Sequence, residues 1–155
     1  MEYLSSRIQR KLYYSAWFNR IAICIVYFWF GLLKVLWRSP AEGLVTKLFD
    51  LTLKPFMEIH TFLPAFGIIE CIIGIVWLFP KYTKIAFYAM SIHMIATFLP
   101  VLMLPDITWQ SFMTLTLVGQ YIFKNLVMLS AAGFVYVFRK DGIESNQIML
   151  NKGMA

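Results

Sequence analysis

The stretch 67–80, GIIECIIGIVWLFP, sets one carboxylate, Glu70, into a run with no other charged residue between Thr61 and Pro80. An apolar run of this kind reads as a helix that crosses a membrane, because a bilayer core of about 30 Å needs about 20 mainly apolar helical residues. The acid inside it then needs a partner or a task. Charge at the bilayer centre costs at least about 2.5–3.5 kcal/mol on insertion scales. A second anomaly matches the first: Lys124 sits within 119–138, GQYIFKNLVMLSAAGFVYVF.

The rest of the chain has the same character. Its 155 residues are 60% apolar, 17% aromatic and only 14% charged, against roughly 25% charged in a soluble domain. One integral membrane domain, 1–155, is the natural reading of the length. The net charge of +6 does not point to nucleic acid, since the basic residues flank apolar runs as headgroup anchors do. Cys24 and Cys71 show no CxxC spacing. They read as small packing residues, and no metal site is expected.

Four spans are predicted, at 17–36, 62–79, 85–104 and 114–138. The first follows a basic start, RIQRKLYYSAWFNR, but is too long for a signal-peptide core and lacks an A-x-A cleavage pattern. In the N-terminal stretch, Ile8, Leu12, Tyr13 and Trp17 alternate with Arg7, Arg10 and Lys11, which predicts an interfacial helix. The N-terminal tail, the second-to-third connection and the C-terminal tail carry Arg7, Arg10, Lys11, Arg20, Lys81, Lys84, Arg139, Lys140 and Lys152. The other side carries Arg38, Lys47 and Lys54. The positive-inside rule then puts both termini in the cytoplasm.

The one long connection, 37–61, opens with SPAEG. Ser39 as N-cap, Pro40 at the first helical position and Glu42 three residues after the cap make a capping box. Leu44, Val45, Leu48, Phe49 and Leu51 give the following helix, 40–53, an apolar face suited to the interface. It either lids the bundle or fills the loop. The expected fold is an all-α membrane protein, a four-transmembrane-helix bundle with a short interfacial helix between spans one and two.

Each span carries small or polar residues at helical spacing, which places each set on one face. The sets are Cys24, Tyr27, Gly31 and Lys34; Gly67, Glu70, Cys71 and Gly74; Ala86, Ala89, His93, Ala96 and Thr97; and Thr116, Gln120 and Lys124. Close packing accounts for the small residues but not for the ionisable ones. Pairing inside the bundle relieves their cost, so Glu70 is expected to meet Lys124, with Lys34 or Gln120 nearby. Lys34 either snorkels outward or bends in. The pair either fixes helix register or serves a polar pocket.

Three stretches, RIAICIVYFWFGLLK, GIIECIIGI and YIFKNLVMLSAA, resemble the DoxX-like membrane proteins. The nearest branch includes the reactive-chlorine-resistance inner-membrane protein. The shared pattern is an arginine opening span one, a G-x-x-K ending it, a glutamate in a glycine-rich second span and a lysine in the fourth. Here these are Arg20, Gly31, Lys34, Glu70 and Lys124. Relatives often follow that lysine with aspartate, where this chain has Asn125. The resemblance implies a four-helix bundle tied to membrane redox or oxidative stress. No haem-ligand pair, flavin or dinucleotide fingerprint or CxxC is present in the sequence, so redox chemistry is not expected of the isolated chain without a partner or a bound quinone.

The leading expectation is a quinone- or lipid-binding subunit of such a system, working with a redox partner protein or as a homo-oligomer. Glu70 and Lys124 would hold the head group, with Tyr27, His93, Tyr121 and Asn125 lining the pocket. A small oligomeric transporter and a structural scaffold are the alternatives.

Overall fold

The structure, a computed structural model, describes residues 2–140. Its long helices are α1 (Glu2–Val35), α3 (Ile59–Val76), α4 (Thr83–Met103) and α6 (Leu117–Lys140). Each supplies a segment long and apolar enough to cross a membrane. Between them lie α2 (Glu42–Thr52), the single turn α5 (Pro105–Thr108), and a hairpin of β1 (Trp109–Ser111) and β2 (Thr114–Leu115). A 3-10 turn, Pro80–Tyr82, joins α3 to α4. Lys152, counted above for sidedness, lies outside the described residues.

The basic N-terminal stretch is not a separate interfacial helix. It forms the first turns of α1, which runs unbroken because no glycine or proline precedes Gly31. The end of α1 is a Schellman closure: Arg38 N–H donates to Leu33 C=O at 2.9 Å and Trp37 N–H to Lys34 C=O at 3.2 Å. Trp37 takes the left-handed position, φ 54°, that glycine usually fills. Its ring packs on His60 at 5.0 Å.

The expected capping box does not form. The helix begins two residues later, at Glu42, and the Ser39 hydroxyl instead accepts from the Ala41 N–H at 3.2 Å, closing the turn that precedes the helix. Span four also starts later than predicted, because 114–115 pair in the hairpin. Thr116 caps it, its hydroxyl accepting from Gly119 N–H at 3.2 Å as an N-cap residue does.

Buried positions on α1 include Ala16, Arg20, Ile23, Tyr27 and Lys34, and on α3 Leu63, Gly67, Glu70 and Gly74, with Trp77 at its C-cap. Steps of three and four make each set one stripe. The two stripes face each other, and glycine brings them close. A Cβ on either Gly31 or Gly67 would lie 2.5 Å from the other's carbonyl oxygen. The pair α4 and α6 packs next most extensively, with α6 also against α1. Ile23, Trp77, Met90 and Val135 share the core, while Phe18, Ile25, Ile92, Ile95 and Val127 point outward. These outward residues are apolar and three charged side chains, Arg20, Lys34 and Glu70, lie inside, the arrangement a lipid solvent favours.

Arg20 is one of those three. It is fully buried, donating from Nη1 to the Trp77 carbonyl at 3.0 Å and from Nη2 to Thr83 Oγ1 at 2.8 Å. It therefore ties α1 to the end of α3 and the start of α4. As a headgroup anchor, the role its position in sequence suggested, it is already spent. A carbonyl at a helix C-terminus has no partner within the helix, and the guanidinium supplies one with favourable charge.

Candidate functional site

Four side chains from three helices join into one polar line. Lys34 Nζ on α1 lies 2.5 Å from Glu70 Oε2 on α3, with both side chains almost fully buried. The other carboxylate oxygen, Oε1, lies 3.0 Å from Nε2 of His93 on α4. That approach is within ion-pair distance yet off the hydrogen-bonding angle. On the far side of the ring, His93 Nδ1 is 3.1 Å from the Tyr27 hydroxyl, also on α1.

The partners assign the proton positions. A carboxylate only accepts, so a neutral imidazole beside it carries its proton on Nε2. Nδ1 is then an acceptor, and the Tyr27 hydroxyl donates to it. The line reads Tyr27 O–H to His93, His93 N–H toward Glu70, and Lys34 N–H to Glu70. One cation and one anion cancel, which suits a water-poor interior.

Aromatic rings close the site. Phe66 stacks on His93 with centroids 5.1 Å apart, and Lys34 Nζ lies 5.5 Å from the Phe66 centroid. The stack continues from Phe66 to Phe62 at 5.4 Å and on to Phe49 at 5.2 Å. Phe49 is the buried residue of α2, so an unbroken aromatic series connects that helix to the imidazole.

The expected Glu70–Lys124 pair is not formed. Lys124 and Gln120 are exposed, as is Tyr121, whose ring carries Lys124 Nζ at 4.8 Å. The reason is helical phase. Ile122 faces inward, and Lys124, two residues on, lies about 200° round the helix from it. Asn125 turns inward instead, its Nδ2 3.4 Å from Thr97 Oγ1 on α4. Of the residues predicted for the site, Lys34, Glu70, His93 and Tyr27 come together; Gln120, Tyr121, Lys124 and Asn125 do not join them. Phe66 was missed. It shares a face with Glu70 four residues on, and that spacing was the available signal.

No group of three or more His, Cys, Asp or Glu side chains among the described residues is placed to hold a metal ion. Comparisons with protein-family models, with curated proteins and with solved structures found no match.

Proposed function

We propose that this chain is a DoxX-like membrane subunit that binds the polar head of a quinone or lipid at the Tyr27–His93–Glu70–Lys34 line, within a redox or oxidative-stress system. The observation that carries this reading is the line itself: ionisable groups from three helices, buried where lipid-facing charge is costly. Its chemistry suits such a head group. Tyr27 O–H, His93 N–H and Lys34 N–H are donors for carbonyl oxygens, Glu70 accepts from a hydroxyl, and Phe66 offers a ring face.

The site is closed, so a ligand enters by displacing Phe66. Pro64 in α3 and Pro100 in α4 each remove a backbone donor near that end of the helices, which eases local opening. In this reading α2 lies in the interface as a lid, through Phe49 and Phe62. Both termini face the cytoplasm of a bacterial inner membrane, and electron transfer belongs to a partner protein.

Organic extraction and mass analysis of protein purified in mild detergent tests this. The reading expects a stoichiometric quinone or lipid, lost from Glu70→Gln protein that still folds. Protein with nothing bound, which also fails to take up an added short-tail ubiquinone, would leave the line as a device that fixes helix register.

A further inference from the structure

Lys124 stands at one end of an open groove between α1 and α6. The groove has a volume of about 360 Å3 and is lined by Asn19, Ala22, Ile23 and Val26 on α1 and by Lys124, Val127, Met128 and Ala131 on α6. That is within the size of ligand clefts, about 300–1,000 Å3. Two spans, α3 and α4, separate α1 from α6, so in a chain that crosses the membrane with each span the two helices run in opposite directions. From Lys124 to Ala131 is roughly 10 Å along the axis.

No described acid faces this cation. Glu70 is committed to Lys34. Glu42, Asp50, Glu58 and Asp106 belong to the connections between spans, and Glu2 begins α1. The direction of the side chain is informative as well. Side chains on a helix lean toward its N-terminus, and Lys124 Nζ lies 4.8 Å from the ring of Tyr121, one turn nearer the start of α6. Tyr121 is only roughly 6 Å along the axis from Leu117, where the helix begins. A lysine extended this way reaches toward the headgroup layer while its stem stays in hydrocarbon.

We infer that Lys124 and Tyr121 bind the phosphate of an anionic phospholipid, one acyl chain of which lies in the α1–α6 groove. The ammonium gives charge and the phenol a hydrogen bond. Below them Ile23, Val26, Val127 and Met128 contact the chain, and Ala22 and Ala131 leave it room. The site is separate from the buried line and stands if the quinone reading fails.

Native mass spectrometry of the full chain, given phosphatidylglycerol or phosphatidylcholine with identical acyl chains, tests it. Phosphatidylglycerol should be held preferentially. Lys124→Gln should cut that retention about fivefold, the worth of one lysine near an anionic lipid surface, and leave phosphatidylcholine unchanged. Lys124→Arg should preserve it, and Ala131→Phe, which fills the groove, should weaken it with the charge intact. Lys124 is exposed, so its variants are expected to fold even if Ala131→Phe does not. Equal retention of the two lipids by the unaltered protein overturns the inference. So does a stoichiometric protein subunit that leaves in Lys124→Gln, which would assign the groove to a partner helix.

Discussion

The Lys34 ammonium on α1 and the Glu70 carboxylate on α3 lie 2.5 Å apart, reaching toward each other from either side of the place where Gly31 and Gly67 bring the same two helices to backbone contact. Close packing and charge pairing are thus parts of one interface. A lysine that ends a span in sequence is folded back into the protein instead of reaching for headgroups.

Removing one member should expose the coupling. Glu70→Gln leaves a buried ammonium without its counter-charge and is expected to cost about 3–5 kcal/mol, read as a lower unfolding midpoint in detergent. Lys34→Met made together with Glu70→Gln should lose clearly less than the two single changes added. Lys124→Met with Glu70→Gln should simply add, because the sites are apart.

The glycines should separate into two groups. Gly31→Ala and Gly67→Ala push a methyl into backbone and are expected to cost about 1–3 kcal/mol. Gly43 and Gly133 have nothing within 4 Å of an added Cβ. Alanine there should leave stability unchanged or raise it by up to about 1 kcal/mol. Circular dichroism melts of the four variants check the order.

Tyr27→Phe keeps the ring and deletes the donor to His93. It should cost about 1 kcal/mol and leave the helices in place. Nitrogen NMR of labelled histidine should find the proton of His93 on Nε2 in the unaltered protein. The Nε2–H form should become less dominant in the variant, since nothing then donates to Nδ1.

Arg20→Met removes two charge-assisted hydrogen bonds from a fully buried site. Each is worth about 1.5–3 kcal/mol, so loss of folded yield is expected, with Thr83→Ala milder. Limited proteolysis at the α3–α4 connection should detect the loosening, because both acceptors lie on either side of it.

The sequence by itself determined that the chain is built on long apolar helices and which residues share a face of each. Long apolar runs define helices whatever their neighbours, and in α1 and α3 the steps of three and four already put Tyr27, Gly31 and Lys34, and Gly67, Glu70 and Gly74, on single faces. His93 was placed on the inner face of its helix by the same rule. Only the tertiary structure decided which cation Glu70 meets. Spacing fixes a residue's angle relative to others on its own helix, but not the rotation of that helix against its neighbours. For α6 the deciding contacts are Ile122 and the Asn125–Thr97 bond, which turn Lys124 outward. For α1 and α3 the Gly31–Gly67 approach brings Lys34 and Glu70 within reach of each other across it. The helix boundaries near Ser39 and Thr116 were set in the same way, by turn and hairpin hydrogen bonds between residues whose partners local propensity does not name.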